Sequence, residues 1–326
     1  MRTITVAVPD EAMLHRLAPI ERGTEIGGGS KNGTGTPTEI ALVLWTTEDA
    51  PLDRPIDLLV LPYSVSATAL PKLADSQVFV VQSQALGYDG VAEHLPAGIA
   101  YCNAVGVHEG ATAELALALI LSSQRGLDVA ARAQPAGLWK RDWYPGLLGS
   151  SVLIVGVGGV GSAIETRLAP FDVAITRVAR SARSDDHGLI HAITDLPALL
   201  PLADIVIIAV PLTGETTKMV DQTFLGKMKP RALLVNVSRG AIVDTDALTE
   251  RAGAGAIRVA VDVVEPEPLP ADHPLWMLPG VIITPHLGGN ISSMSSRVDP
   301  LVRQQIARLR SGLSPLNIVV DRRTQP

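Results

Sequence analysis

The sequence predicts an α/β fold of two domains, each built on a mainly parallel sheet, and three observations carry that prediction. The chain has 326 residues, more than one ordinary domain holds and enough for two that each bury a core. Short apolar runs alternate with helix-like stretches, the pattern of strand–helix–strand units. A GVGGVG loop at 156–161 lies between one such run and one such stretch. With 47% hydrophobic, 18% charged and only 3% aromatic residues, aliphatic side chains must fill the cores of a compact protein.

Along the first hundred residues, 4–8, 40–44, 58–61 and 78–81 read as strands, and 11–18 and 65–74 as helices. Between them ERGTEIGGGSKNGTGTP, 21–37, has little to bury. It reads as a mobile loop or loose hairpin rather than a phosphate cradle, since no strand feeds it and no helix follows closely. The stretch 109–121 carries small and aliphatic residues on nearly every face, as a helix buried on both sides does, and it is expected to cross between the domains. Residues 134–148, with Pro, Gly and two tryptophans in no period, form an irregular arm whose exposed aromatics suit a subunit contact. From Ser151 the strands are 152–155, 173–178, 205–210, 233–237, 258–261 and 281–283. Continuous Val and Ile runs of this kind belong to strands covered on both faces. A helix over 300–310 and an apolar end, 317–320, have no sheet nearby in sequence and are expected to pack back on the first domain.

Basic residues number 27 against 33 acidic, a formal charge of -6 spread along the chain. No basic face of the kind nucleic acid or an anionic membrane requires is expected, so neither is a predicted partner. MRTITVAVPD enters a strand with no apolar signal core, and the longest apolar helical stretch, 115–121, is too short to span a bilayer. The one cysteine, Cys102, cannot form an internal disulfide. The expected compartment is the cytoplasm. No spacing of His, Cys and acids matches a ligand set, so no metal is expected.

The glycine loop is read from its setting. With a strand before it and the helix 160–168 after it, Gly156 makes the tight turn, Gly158 lets the backbone approach a pyrophosphate, and Gly161 allows close helix packing. The next strand selects the dinucleotide, because an acid at its end binds the ribose 2′-hydroxyl whereas an arginine accepts a 2′-phosphate. Here that strand ends in VARSARS: Arg180 stands where the acid would be, Ser181 offers a hydroxyl and Arg183 adds a second cation. NADP(H) is favoured. NAD(H) stays open, since Asp185 or Asp186 could fold back to the ribose.

Three contexts downstream, SRGAIVD, DVVEPEPLP and TPHLGGN, supply Arg239, Glu267 and His286. A 2-oxo acid presents a carboxylate beside a ketone, so its reduction needs a cation to orient it and a donor to protonate the oxygen. Arg239 follows a strand at the carboxyl edge of the sheet, where its guanidinium could fork onto the carboxylate and polarise the carbonyl. It could equally cap the helix after Val243. His286 also follows a strand, and imidazole titrates in the range a general acid needs. Glu267, bonded to the other ring nitrogen, would orient the ring and stabilise its protonated form. The other six of the seven histidines have no comparable company.

GVGGVG, AVPLTGET, NVSRGAIVD, DVVEPEPLP and TPHLGG occur in the order and spacing of the D-isomer-specific 2-hydroxyacid dehydrogenase family, which the chain resembles over nearly its whole length. The resemblance implies two doubly wound parallel-sheet domains: a Rossmann-type cofactor domain, 102–291, inserted into a flavodoxin-like substrate domain, 1–101 plus 292–326. It implies Arg239 as substrate anchor, His286 as acid or base, and Glu267 as its partner. Asp262 would contact the nicotinamide end, and Gly159 and Val160 would meet the pyrophosphate. Thr112 would lie near the cofactor phosphate, and Val210, Pro211, Thr216, Val237, Ser238, His286 and Gly288 would line the cofactor. QALGYDG at 84–90 matches the family's substrate loop, so the backbone of Leu86 and Gly87 would hold the carboxylate.

A homodimer through the cofactor domain is also implied, with the arm at 139–147 reaching towards the neighbour and Trp139 shaping its pocket. Two departures stand out, the length of the 21–37 loop and VARSAR in place of an acid. The implied activity is reduction of a small 2-oxo acid such as glyoxylate or hydroxypyruvate to the D-hydroxy acid. One alternative is a dinucleotide-sensing binding protein like the related corepressors, against which the complete Arg, Glu and His set argues. Another is 3-phosphoglycerate dehydrogenase, disfavoured because the first domain shows no basic phosphate-binding cluster.

Overall fold

The computed structural model describes residues 2–21, 38–63 and 65–323, so the expectation for the glycine-rich stretch 22–37 lies outside the described residues. The chain forms two compact units, Met1–His108 with Ile291–Pro326, and Glu109–Asn290. In order, the elements are β1 (Arg2–Val8), α1 (Glu11–Glu21), β2 (Thr38–Leu44), β3 (Leu58–Val60), a 3-10 helix (Ala67–Asp75), β4 (Val80–Gln82), α2 (Val91–His94) and β5 (Ala100–Cys102). There follow α3 (Glu109–Arg125), α4 (Leu127–Ala133), β6 (Ser151–Val155), α5 (Gly159–Leu168), β7 (Ala174–Ala179), β8 (Arg183–Asp185), β9 (Gly188–Ala192), α6 (Leu196–Leu199) and β10 (Ile205–Ile208). The remainder is α7 (Gln222–Lys227), β11 (Leu233–Asn236), α8 (Thr245–Gly253), β12 (Arg258–Val261), β13 (Val281–Ile283), α9 (Met294–Arg310) and β14 (Ile318–Asp321).

The first unit holds a sheet in the order β14-β5-β4-β3-β1-β2. β1 to β5 are parallel, in the flavodoxin-like order, and only β14 runs antiparallel, against β5. Alternation along the strands feeds two cores. Ile4, Val6 and Val8 meet Met13 and Leu17 of α1 and Val302 and Ile306 of α9 on one face. Ala7, Leu59, Val81 and Tyr101 meet Leu70, Leu73, Val91 and Leu95 on the other. With both faces covered, every strand position favours an apolar residue, which is why these strands read as unbroken runs.

The C-terminal tail is stitched to this sheet by two buried amides. Gln305 Nε2 donates to Gln82 Oε1 at 2.7 Å and to the Leu316 carbonyl at 3.0 Å, and Gln305 Oε1 accepts from Leu316 N at 2.9 Å. Residues 102–108, expected in the inserted domain, group with the first unit. They bond back into it: Ala104 N donates to Ala85 O at 2.9 Å. The helix predicted over 65–74 is the 3-10 helix, with Pro71 inside it, where a missing N–H favours the shorter, tighter form.

The second unit holds a sheet in the order β13-β12-β11-β10-β6-β7-β9-β8, parallel except for β8 against β9. Read from β9 through β7, β6, β10 and β11 to β12, this is the doubly wound Rossmann order. α3 and α5 cover one face, with Ala113, Ala116, Leu119, Ile120 and Ile164 on Val152, Ile154, Ile207 and Val235. Leu196, Leu200, Phe224, Leu225, Leu248 and Leu275 cover the other. α3, whose small residues belong to this core, groups with the second unit and begins at its first residue, Glu109.

β8 and β9 escape sequence patterning because their hairpin is mostly exposed and polar. The arm after α4 has only a short 3-10 turn, Gln134–Ala136, and leaves Trp139 and Trp143 exposed. Its base is fixed by the Tyr144 ring, which lies where a Cβ on Gly126 would stand, 2.1 Å from it. Among the described residues no helix is long and apolar enough to cross a membrane. Cys102 is fully buried, and burial pushes its thiol up to about 12. Since the thiolate is the nucleophile, iodoacetamide at about pH 8 should leave the native protein unmodified and add one adduct after unfolding, as intact mass spectrometry would read.

Candidate active site

In the second unit the glycine loop emerges from β6 and opens α5. Gly156 has φ +110°, and a Cβ there would stand 2.3 Å from the Ala209 carbonyl oxygen. A Cβ on Gly161 would lie 1.8 Å from the Gly156 carbonyl oxygen, so the helix is tied closely to the turn. Gly159 is crowded by Glu109, whose Cγ would be 2.7 Å away. Gly158 alone of these faces open space. Two glycines thus shape the turn and the helix packing, and a third leaves the approach clear at the helix N-terminus, where backbone N–H groups favour a phosphate. Val160 continues the first turn of α5, beside Gly161.

Arg180 follows the last residue of β7, and its Nη2 lies 3.1 Å from Glu215 Oε2. Arg183 opens β8 and reaches back to the Ser181 carbonyl at 3.5 Å, so the two cations flank Ser181. Asp185, the acid that could have turned to a ribose, is engaged elsewhere. The buried Arg177 donates to it at 2.9 Å, and His187 N does so at 2.9 Å. Desolvation works against ionisation there, but these bonds hold the Asp185 carboxyl below the usual range.

Loops after β10 and β11 supply further expected residues. Val210 packs against the core beside Pro211, whose carbonyl accepts from Thr216 Oγ1 at 2.7 Å. Val237 and Ser238 lead from β11 to Arg239. That turn is built on Asn236, fully buried at the strand end: its Nδ2 donates to the Arg239 carbonyl at 2.9 Å, and its Oδ1 accepts from Ser238 N at 3.1 Å and Ser238 Oγ at 2.7 Å. Arg239 Nη1 donates to the Ser238 carbonyl at 2.6 Å. A Cβ on the next residue, Gly240, would stand 1.9 Å from the Val264 carbonyl oxygen. The segment leading to Glu267 therefore lies directly on the turn that carries Arg239.

Glu267 and His286 are brought together: His286 Nδ1 and Glu267 Oε1 are 2.6 Å apart, on half-exposed side chains. Behind them Asp262, at 2% exposure, organises the whole loop after β13. Its Oδ1 accepts from Thr284 Oγ1 at 2.6 Å and Leu287 N at 2.7 Å, and its Oδ2 from Gly288 N at 2.8 Å. Its backbone carbonyl accepts from His286 N at 2.9 Å. His286 itself has φ +55°, a conformation costly for a side chain of this size and held by its surroundings. Thr112 Oγ1 donates to the Gly288 carbonyl at 3.3 Å, so the threonine expected near a phosphate supports this loop. Asp262, expected at the nicotinamide end, likewise spends its carboxylate on the loop.

In the first unit, Leu86 and Gly87 lie beyond β4 in a loop held from behind. Gln84 Nε2 donates to Leu61 O at 2.8 Å, Asn103 Nδ2 to Leu86 O at 2.8 Å, and Ala85 N to Ser83 Oγ at 3.0 Å. A ring nitrogen of His108, also tilted against Tyr63, meets the Gln84 carbonyl. Among the described residues no group of His, Cys, Asp and Glu is arranged to hold a metal.

Sequence reasoning missed Asn236, Thr284, Asn103 and Glu215. Asn236 had a signal: a polar residue closing the fully buried run LLVN must have its bonds met inside the fold. Thr284 and Glu215 lie inside the TPHLGG and AVPLTGET motifs, whose spacing does not say which polar side chain bonds where, and Asn103 follows a strand too short to be read. Replacing Gly240 with alanine must push the Val264 segment away. We expect Gly240→Ala to destabilise the protein by about 1–3 kcal/mol and to lower turnover with Glu267 displaced, checked by thermal unfolding and steady-state kinetics.

Comparison with known proteins bears on the family and the fold. The model of the D-isomer specific 2-hydroxyacid dehydrogenase NAD binding domain matches residues 117–288. A glyoxylate reductase of Korarchaeum cryptofilum is 33% identical over 295 residues, 85% of this chain and 89% of that enzyme. A glyoxylate reductase of Thermofilum pendens is 34% identical over 251 residues, 74% of each chain. Among solved structures, a D-isomer specific 2-hydroxyacid dehydrogenase family protein from Aeromonas salmonicida, 26% identical, superposes with a TM-score of 0.80 over 98% of this chain and 99% of that one. With its nucleotide-binding fold, the family match over half of its length and these relatives, the chain belongs to the D-isomer specific 2-hydroxyacid dehydrogenase family.

Proposed function

We propose that the protein reduces a small 2-oxo acid, of the glyoxylate or hydroxypyruvate kind, to the D-2-hydroxy acid, with NADP(H) preferred over NAD(H). The observation that carries this reading is the 2.6 Å bond between Glu267 Oε1 and His286 Nδ1 on a loop pinned by Asp262. With Nδ1 committed to the carboxylate, Nε2 is the ring nitrogen left to address a substrate oxygen. Relatives named glyoxylate reductase support the substrate class.

When bound, the nicotinamide cofactor supplies the hydride to the carbonyl carbon. His286 Nε2 gives the carbonyl oxygen its proton, and Glu267 stabilises the imidazolium before that transfer and keeps the ring aimed. Arg239 orients the substrate carboxylate and polarises the ketone, a two-pronged grip that a lysine cannot copy. The backbone of Leu86 and Gly87 is likewise proposed to bind a carboxylate. Asp262, Thr112 and Gly288 act by positioning the His286 loop.

For the cofactor, Gly156 to Gly161 and the α5 N-terminus would take the pyrophosphate, with Val210, Pro211, Thr216, Val237 and Ser238 along its length. Arg180, Ser181 and Arg183 would take a 2′-phosphate. The engagement of Asp185 by Arg177 supports that preference, since it takes one of the two acids of that segment away from a ribose 2′-hydroxyl. The exposed Trp139 and Trp143 support a homodimer in which the arm meets a second copy.

A panel of oxo acids, followed by loss of NADPH absorbance, tests the activity; silence across the panel would favour a dinucleotide-sensing role instead. We expect His286→Ala to lower kcat by about 10²- to 10⁴-fold with cofactor affinity retained, and near-normal turnover would remove it from the mechanism. Arg239→Lys should raise KM for the oxo acid by about 10-fold or more while leaving the KM for cofactor nearly unchanged.

A further inference from the structure

We infer that Glu215 competes with the cofactor's 2′-phosphate for Arg180, so that this ion pair, spanning the mouth of the dinucleotide crevice, tunes the choice between NADP(H) and NAD(H). The inference deepens the cofactor reading above and rests on it. Strand order provides the first argument. β6 lies between β10 and β7, Arg180 follows β7, and Glu215 belongs to the loop after β10. A contact of 3.1 Å between them therefore reaches over the carboxyl end of β6, where the glycine loop emerges. In doubly wound folds that is the crevice dinucleotides occupy.

Rigidity of the Glu215 loop is the second argument. Thr213 N donates to Thr216 Oγ1 at 2.8 Å, Thr216 Oγ1 to the Pro211 carbonyl at 2.7 Å, and Thr217 Oγ1 to the Thr213 carbonyl at 2.8 Å. A turn tied in this way keeps its internal shape. The pair opens by side-chain rotation, which the high exposure of both residues, 79% and 75%, permits. Electrostatics sets the direction. A 2′-phosphate approaching Arg180 meets the Glu215 carboxylate at the same guanidinium, and the two anions repel. The ribose 2′-hydroxyl of NAD(H) brings no such charge, and a carboxylate can accept its hydrogen bond, the service an acid at the strand end performs in NAD-type sites. Glu215 thus opposes one cofactor and tolerates the other, while Arg180 does the reverse.

Calorimetric Kd values for NADP+ and NAD+ test this on the whole protein, as wild type, Glu215→Gln, Arg180→Ala and the double variant. Glu215→Gln should tighten NADP+ by about 2- to 5-fold, the range an exposed ion pair supports, and should not tighten NAD+. The gain should vanish in the Arg180→Ala background and shrink as salt rises. If Arg180→Ala weakens NADP+ selectively but Glu215→Gln leaves it unchanged, or tightens both cofactors alike, the role of Glu215 is refuted and the cofactor reading stands. Tightening of NADP+ that persists without Arg180 refutes the competition as well. If Arg180→Ala weakens both cofactors equally, Arg180 does not read the phosphate, and the cofactor reading and this inference fall together.

Discussion

A buried carboxylate holds the loop that carries His286, and most of the candidate site's geometry depends on it. Asp262 is almost inaccessible to solvent and is satisfied by one hydroxyl and two backbone N–H groups from the loop after β13. Burying such a group without partners would cost several kcal/mol, on the order of a lost charge-assisted network. That cost makes the loop's path nearly obligatory, since only the path followed by 284–288 brings all the donors into range. Gly288 belongs to the same constraint, because a Cβ there would stand 3.2 Å from Asp262 Oδ2 and 3.3 Å from Thr112 Oγ1. The left-handed His286 is the consequence: its backbone is bent to suit Asp262, and its ring is delivered to Glu267.

Arg239 is positioned by the same logic with different parts. Asn236 closes its strand with a side chain that plays the role of a turn's backbone, bonding on both sides of Ser238. Gly240 then lets the Val264 carbonyl approach so closely that the two loops share one surface. An exposed or half-exposed catalytic group gains little orientation from its own contacts. Here orientation comes from buried polar residues at the ends of β11 and β12, which belong to a sheet covered on both faces. Precision at the carboxyl edge is thus a property of the core beneath it.

This explains what could be read from the sequence. Long buried strands such as 152–155 and 205–208 announce themselves by unbroken Val and Ile, and the glycine loop by its place between strand and helix. Glu267 and His286 were legible as a pair because each sits in a short context too unusual for an ordinary turn. β5 was not, since its AYC has none of the Val, Ile or Leu that marked the other three-residue strands β3, β4 and β13, nor was the β8–β9 hairpin, whose exposed positions are under no hydrophobic constraint. Thr112 and Asp262 were placed by family resemblance on the cofactor side, and resemblance gave no sign that their polar atoms also bond to the loop after β13. A residue type in a motif gives the neighbourhood, and only the bonds tell which neighbour is served.

The two ends of the proposed cofactor site therefore differ in kind. At the catalytic end, altering Asp262, Gly288 or Asn236 strands buried donors or forces backbone apart, so chemistry and stability are coupled. At the other end, Arg180 and Glu215 are exposed side chains whose pairing contributes little to folding. Arg177 absorbs Asp185 below them, anchoring the hairpin independently of whichever cofactor is bound. On the proposed reading, substitutions at 180 and 215 would redistribute affinity between phosphorylated and unphosphorylated dinucleotides and leave the loop that holds His286 undisturbed. On that reading, cofactor choice would be separable from catalysis, because solvated charges would set the one and hydrogen bonds in the core the other.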